Sequence, residues 1–142
     1  MKKIIVFFVI TIAFLGMIWY ICEEAKIPQN EKIAFNNSFE KLLNKQISGN
    51  DLATIINRAV ENNINNDVEK NSSGFFIDNS TNSMSIDIKF VDNDSVIKAE
   101  KLVENDLSKF IDLYNLSDFT LIKINYHEKT NLVKYLYFEE SM

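Results

Sequence analysis

The residue types that most often build reactive sites are scarce in this chain of 142 residues. It contains one cysteine, Cys22, one histidine, His127, three glycines and one proline. A single cysteine excludes an intramolecular disulfide, and together with one histidine it cannot supply the three or four ligands of a zinc site. Three glycines cannot build a phosphate-binding loop. We therefore expect no metal ion, no cofactor and no nucleotide site.

Catalytic residues are not indicated by the sequence. A Ser-His-Asp or Cys-His arrangement would have to use His127, which lies in the stretch YHEKTN and is predicted to be exposed in a turn. DNSTN and DNDS resemble parts of calcium loops but lack the glycine at the sixth position and the glutamate at the twelfth. The 20 acidic residues could supply a carboxylate pair, but no motif selects one. We expect that the protein is not an enzyme.

What the sequence does contain is a long apolar run at its start. No residue from Ile4 to Ile21 is charged. As a helix rising about 1.5 Å per residue, this run would extend roughly 27 Å, close to the ~30 Å hydrocarbon core of a bilayer. We expect residues 1–22 to be a transmembrane signal anchor that contacts lipid through Ile4, Phe7, Phe8, Phe14, Trp19 and Tyr20.

Cleavage of this segment is the alternative. A signal peptidase site needs two small residues, and only Ala25 is small in the stretch after the run. Ile21 before Cys22 also fits a lipoprotein signal poorly. Lys2 and Lys3 precede the run, so the positive-inside rule places the N-terminus in the cytoplasm. The expected location is a cell membrane crossed once, with the C-terminal domain outside.

The residues after the anchor are acidic. Without Lys2 and Lys3, 13 of the 15 basic residues remain against 20 acidic ones, a net charge of −7. Nucleic-acid binding depends on basic surfaces, so we expect no nucleic-acid partner. We interpret the many Asn, Ile and Lys residues, beside a single Arg, as codon bias of an AT-rich genome.

Hydrophobic periodicity predicts helices in the first half of the domain. After a connector over residues 23–30, the stretch EKIAFNNSFEKLLNKQI has apolar residues at helical spacing, and Gly49 is expected to end this helix. Ser48 or Asn50 can cap a second helix over DLATIINRAVENNI. A third helix after DNDS would bury seven residues: Ala99, Leu102, Val103, Leu107, Phe110, Ile111 and Tyr114.

The alternation of apolar and polar residues predicts the strands. GFFID, MSIDIKFV, FTLIKINY and LVKYLYFEE are expected to form two hairpins through NSTNS and HEKTN. MSIDIKFV has one apolar side and one polar side carrying Ser85, Asp87 and Lys89. The order α-α-β-β-α-β-β over residues 31–142 predicts an α+β domain with about four strands in a mixed or antiparallel sheet. If the last strand is an edge, Tyr135, Tyr137 and Phe138 could pair with another chain, but packing of alternate residues in the core is the role we expect.

Two resemblances bear on function. The layout of a membrane helix, a further helix and a small sheet resembles type IV pilins and pseudopilins, although the prepilin Gly and Glu are missing. FNNSFEKLLNKQISGNDLATIINRAVENN is similar to a stretch of uncharacterised small single-span proteins of low-GC Gram-positive bacteria. The layout implies an interaction subunit of a cell-envelope assembly. Such a subunit would contact the lipid bilayer through its N-terminal helix and would bind a protein partner or further copies of itself. A solitary ligand-binding or sensing module at the cell surface is the alternative.

Overall fold

The computed structural model describes residues 11–12, 28–92, 95–104 and 107–141. The predicted anchor residues Ile4, Phe7, Phe8, Phe14, Trp19 and Tyr20 lie outside these ranges, as does most of the predicted connector. Among the described residues, no helix combines the length and apolarity that crossing a bilayer requires.

The chain divides into two units, Met1–Ala34 and Phe35–Met142. Helix α1 (Gln29–Glu40) begins in the first unit and ends in the second. The remaining elements of the second unit are, in chain order, β1 (Gln46–Ser48), α2 (Gly49–Asn65), β2 (Ser85–Lys89), β3 (Val96–Lys98), α3 (Ala99–Glu104), α4 (Leu107–Tyr114), β4 (Asp118–Tyr126) and β5 (Val133–Glu140).

The five strands form one mixed sheet in the order β1-β4-β5-β2-β3. β2 and β5 pair in parallel, and the other neighbours pair antiparallel. The α+β class and the mixed sheet are thereby confirmed, with five strands instead of about four. GFFID is not a strand, because only Phe76 forms an isolated bridge, to Lys70. The two edge strands are instead β1 and β3, which the alternation of apolar and polar residues did not predict.

α2 forms where the apolar periodicity predicted it. The Ser48 hydroxyl accepts a hydrogen bond from the Asp51 N–H at 3.2 Å and so caps the first turn. Leu52, Ile55, Ile56 and Ala59 are buried on one side of the helix, against the sheet. The cap is as expected from the sequence, but the expected apolar face also included Val60, which is half-buried, and Ile64, which is exposed.

Gly49 does not end the first helix, as the sequence suggested, but begins α2. Its N–H donates to the Ser117 carbonyl at 3.0 Å. A Cβ at this position would lie 2.0 Å from the Tyr114 carbonyl oxygen. Glycine is needed here because the end of α4 crosses the start of α2 with no room for a side chain.

The core lies between the helices and one face of the sheet. Phe39 of α1 belongs to the same buried cluster as side chains from β2, β4 and β5, including Ile88, Phe119, Leu121, Leu136 and Phe138. Phe110 is buried, as expected for the third predicted helix, and its ring lies 5.3–6.4 Å from those of Phe90, Tyr114 and Phe119. That predicted helix starts late, at Ala99, because residues 96–98 pair with β2 as β3.

Two buried asparagines connect the helices to the central strands. The Asn63 side chain accepts from the Met84 N–H and donates to the Met84 carbonyl, both at 2.7 Å. Asn36 accepts from the Val133 N–H at 3.0 Å and donates to the Asn131 carbonyl at 2.7 Å. Each amide therefore satisfies backbone groups at the start of β2 or β5. Codon bias alone does not account for these two positions.

Candidate functional site

The sheet has a second face, opposite the core, that is polar. We define the polar face by nine side chains from three adjacent strands, each half-buried or exposed: Ser85, Asp87, Lys89, Thr120, Lys123, Asn125, Tyr135, Tyr137 and Glu139. The alternation of β2 and β5 produces it, because Ile86, Ile88, Leu136 and Phe138 point to the core.

The strand register sets the neighbours on the polar face. Tyr137 lies at the centre, opposite Asp87 of β2 on one side and Lys123 of β4 on the other. In the next row, Glu139 lies opposite Lys89 and Thr120. Charges of both signs therefore surround the tyrosine at short range. Such a mixed pattern favours a protein surface over a polyanion as the binding partner.

Tyr135 is held on the polar face by Asp87. Its hydroxyl donates to Asp87 Oδ2 at 3.2 Å. Burial and the adjacent Asp87 carboxylate raise the pKa of Tyr135 to about 12. The phenol therefore stays protonated at physiological pH and acts as a hydrogen-bond donor with a fixed orientation.

The last strand is not an edge, which was the condition for its pairing with another chain. β5 lies in the centre of the sheet, hydrogen-bonded to both β4 and β2, so its backbone cannot pair with another chain. Phe138 is fully buried in the core. Tyr135 and Tyr137 lie on the opposite face, where contact with a partner through their side chains stays a prediction.

A second polar cluster lies where the loop before β2 meets the turn between β4 and β5. We call it the polar corner and define it by Asp78, Ser83, His127 and Lys134. Lys134 Nζ lies 2.6 Å from Asp78 Oδ2, and the Ser83 hydroxyl donates to Asp78 Oδ1 at 3.0 Å. Burial raises the pKa of Asp78, but the hydrogen bonds from Lys134 and Ser83 outweigh it and leave the pKa lowered.

His127 is buried, not exposed in a turn as the sequence suggested. Only 2% of its surface is accessible, and its Nε2 lies 2.7 Å from the Ser83 carbonyl oxygen. A carbonyl can only accept, so Nε2 carries the proton and donates. The ring bonds the backbone of Ser83 and not its hydroxyl, so it is not placed to activate Ser83 as a nucleophile.

The loop of the polar corner is ordered by its own side chains. The Asn79 Oδ1 accepts from the N–H groups of Thr81, Asn82 and Ser83 at 2.9–3.0 Å. The Thr130 hydroxyl of the β4–β5 turn donates to the Thr81 carbonyl. No sequence signal brings these residues together, because the partners are separated by 49 positions.

Two depressions border the Asp78–Lys134 pair. The larger, of about 330 Å³, is lined by Ser80, Tyr126, His127, Glu128, Lys129 and Lys134. The smaller, of about 90 Å³, includes Asp78, Ser83, Lys98 and Glu100 in its wall. Burial raises the pKa of Glu100, although its carboxylate accepts the Phe76 N–H at 3.1 Å. In the described part of the chain, no three His, Cys, Asp or Glu residues are grouped as metal ligands.

Comparison with known proteins adds no family to this description. No protein family, no curated protein and no solved structure matches the chain.

Proposed function

We propose that this chain is an interaction subunit of a cell-envelope assembly, tethered by its apolar N-terminal segment and binding a protein partner through the polar face. The observation that carries the proposal is the position of Tyr137, at the centre of the sheet between Lys123 and Asp87. Tyrosine supplies contact area at low entropic cost, and it is enriched at protein interfaces.

The charges on the polar face support a protein partner. Lys89 and Lys123 lie beside Asp87 and Glu139, so neither sign dominates. A partner surface that places a charge of opposite sign against each of these four residues would bind, and an alignment that places like charges together would be rejected. The tether adds affinity, because two proteins held at one membrane meet at a high effective concentration.

Site-specific photo-crosslinking in cells tests the proposal. A photoreactive amino acid replaces Ser85 or Lys123 on the polar face, and in matched controls it replaces Asn57 or Glu61 on the exposed side of α2. We expect the same discrete adduct from both polar-face positions and none from α2. A mass equal to two copies would favour self-assembly of the pilin-like kind. Adducts from all four positions, or from none, would remove the polar face as the binding surface.

The topology has a separate test. The 12 lysines after the predicted anchor should react with a membrane-impermeant amine reagent added to intact cells. Labelling only after the membrane is opened would place the domain on the other side and rule out an extracytoplasmic partner.

A further inference from the structure

The 330 Å³ depression beside the polar corner has the features of a preformed binding site. Its volume is at the lower end of the range for small-molecule pockets, about 300–1,000 Å³. Its wall comes from three separate segments: Ser80 from the loop before β2, residues 126–129 from the end of β4 and its turn, and Lys134 from β5. Side-chain hydrogen bonds hold these segments together, so the wall is ordered before any ligand arrives.

His127 contributes an unused acceptor to this wall. Its Nε2 is committed to the Ser83 carbonyl, and its Nδ1 has no hydrogen-bond partner among the described residues. No fully buried side-chain nitrogen or oxygen in the described ranges lacks a partner, so solvent must reach Nδ1. The ring is otherwise buried, and it lines this depression. With the Nε2 proton directed at Ser83, Nδ1 is the ring nitrogen that can accept from a group that donates a hydrogen bond.

Two ammonium groups accompany this acceptor. Lys129 is exposed on the turn, and Lys134 has its Nζ fixed 2.6 Å from Asp78 Oδ2. An ammonium has three N–H donors, so Lys134 can bind a second anion while it keeps Asp78. Glu128 lies on the same wall and can accept from a ligand hydroxyl. The site thus combines two cationic donors with two acceptors.

We propose that this depression binds a small hydroxylated carboxylate of sugar-acid size. The carboxylate lies between Lys129 and Lys134, and a ligand hydroxyl donates to His127 Nδ1. A simple carboxylate lacks the donor for Nδ1, and a neutral sugar lacks the charge for the lysines. This site is separate from the polar face, so its failure would leave the proposed protein interaction standing.

The single histidine gives a direct measurement. The full-length chain in detergent micelles is labelled with ¹⁵N, and the two ring nitrogens of His127 are followed by NMR. The probe is D-glucuronate, compared with glucose and with acetate. We expect glucuronate to shift the Nδ1 signal saturably below about 50 mM, and the other two compounds to bind at least tenfold more weakly.

A matched pair of variants completes the test. Lys129→Gln should weaken glucuronate binding at least threefold, and Lys109→Gln, an exposed lysine on α4, should leave it unchanged. Both lysines are exposed, so neither substitution should affect folding. Equal shifts from glucuronate, acetate and sodium chloride would indicate an ionic-strength effect only and would overturn the proposal. Unsaturated binding, or an unchanged affinity of Lys129→Gln, would do the same.

Discussion

Replacing Gly49 by alanine tests the close approach of the end of α4 to the start of α2. The new Cβ would lie 2.0 Å from the Tyr114 carbonyl oxygen and 2.7 Å from its carbon. Real Cβ atoms essentially never come within 3.0 Å of another heavy atom, so the end of α4 would have to move away. Both atoms belong to the backbone, and no side chain can rotate to relieve the clash.

The cost has three parts. Overpacking of this kind costs about 1–3 kcal/mol. The hydrogen bond from the Gly49 N–H to the Ser117 carbonyl, 3.0 Å long, would be lost at about 1 kcal/mol. Alanine recovers about 1 kcal/mol through its better helix propensity. We expect a net loss of about 1–3 kcal/mol, or a fall of roughly 10 °C in Tm for a domain near 100 residues.

Pulse proteolysis of the full-length chain in urea measures this loss without interference from the N-terminal segment. With a slope of about 1.5 kcal/mol per molar urea, the midpoint should fall by about 0.7–2 M. Asn57→Ala, at an exposed position of the same helix, should leave the midpoint nearly unchanged. A Gly49→Ala midpoint within about 0.3 M of the wild type would refute the close approach of α4 to α2.

Three further predictions use the same assay. Asn63→Ala should cost about 2–4 kcal/mol, because both backbone groups of Met84 lose their partner. The control Asn65→Ala, at an exposed position, should cost less than about 0.5 kcal/mol. Phe110→Ala should cost about 3–5 kcal/mol, and a loss under about 1 kcal/mol would contradict its place in the aromatic core. The pKa of Glu100 is raised above its usual 4.5 in the fold, so its contribution to stability is present at low pH and is lost as the pH rises through the raised value. Glu100→Gln should therefore gain stability relative to the wild type between pH 4 and pH 7, and a constant difference would show that Glu100 is not desolvated.

Elements with many periodic residues could be predicted from the sequence, and short ones could not. α2 repeats its pattern over several turns and β2 alternates along its whole length, so local preference and burial agree. β1 has three residues and takes its structure from pairing with Thr120, Phe119 and Asp118, about 70 positions later. A stretch of three residues is too short for its sequence to predict which distant strand it pairs with.

The polar residues of the interior are not predicted by local sequence. Asn36 and His127 are hydrophilic, and the sequence predicted His127 to be exposed in a turn. Each is buried because it supplies a hydrogen bond that a distant backbone group needs, across 97 positions for Asn36 and 44 for His127. The polar side of β2, in contrast, follows directly from its alternation, and it gave the correct Ser85, Asp87 and Lys89 of the polar face.

The central place of β5 has a consequence for the order of folding. β5 is the last strand in the chain order, yet both β4 and β2 depend on it for pairing. A nascent chain that has reached β3 can form only the short β2–β3 hairpin, with the parallel edge of β2 unpaired. The sheet therefore cannot assemble during synthesis until residues 133–140 have emerged, and contacts of such long sequence separation form slowly. Before that moment the pairings of β5 with β4 and β2 are absent, and the sheet is incomplete.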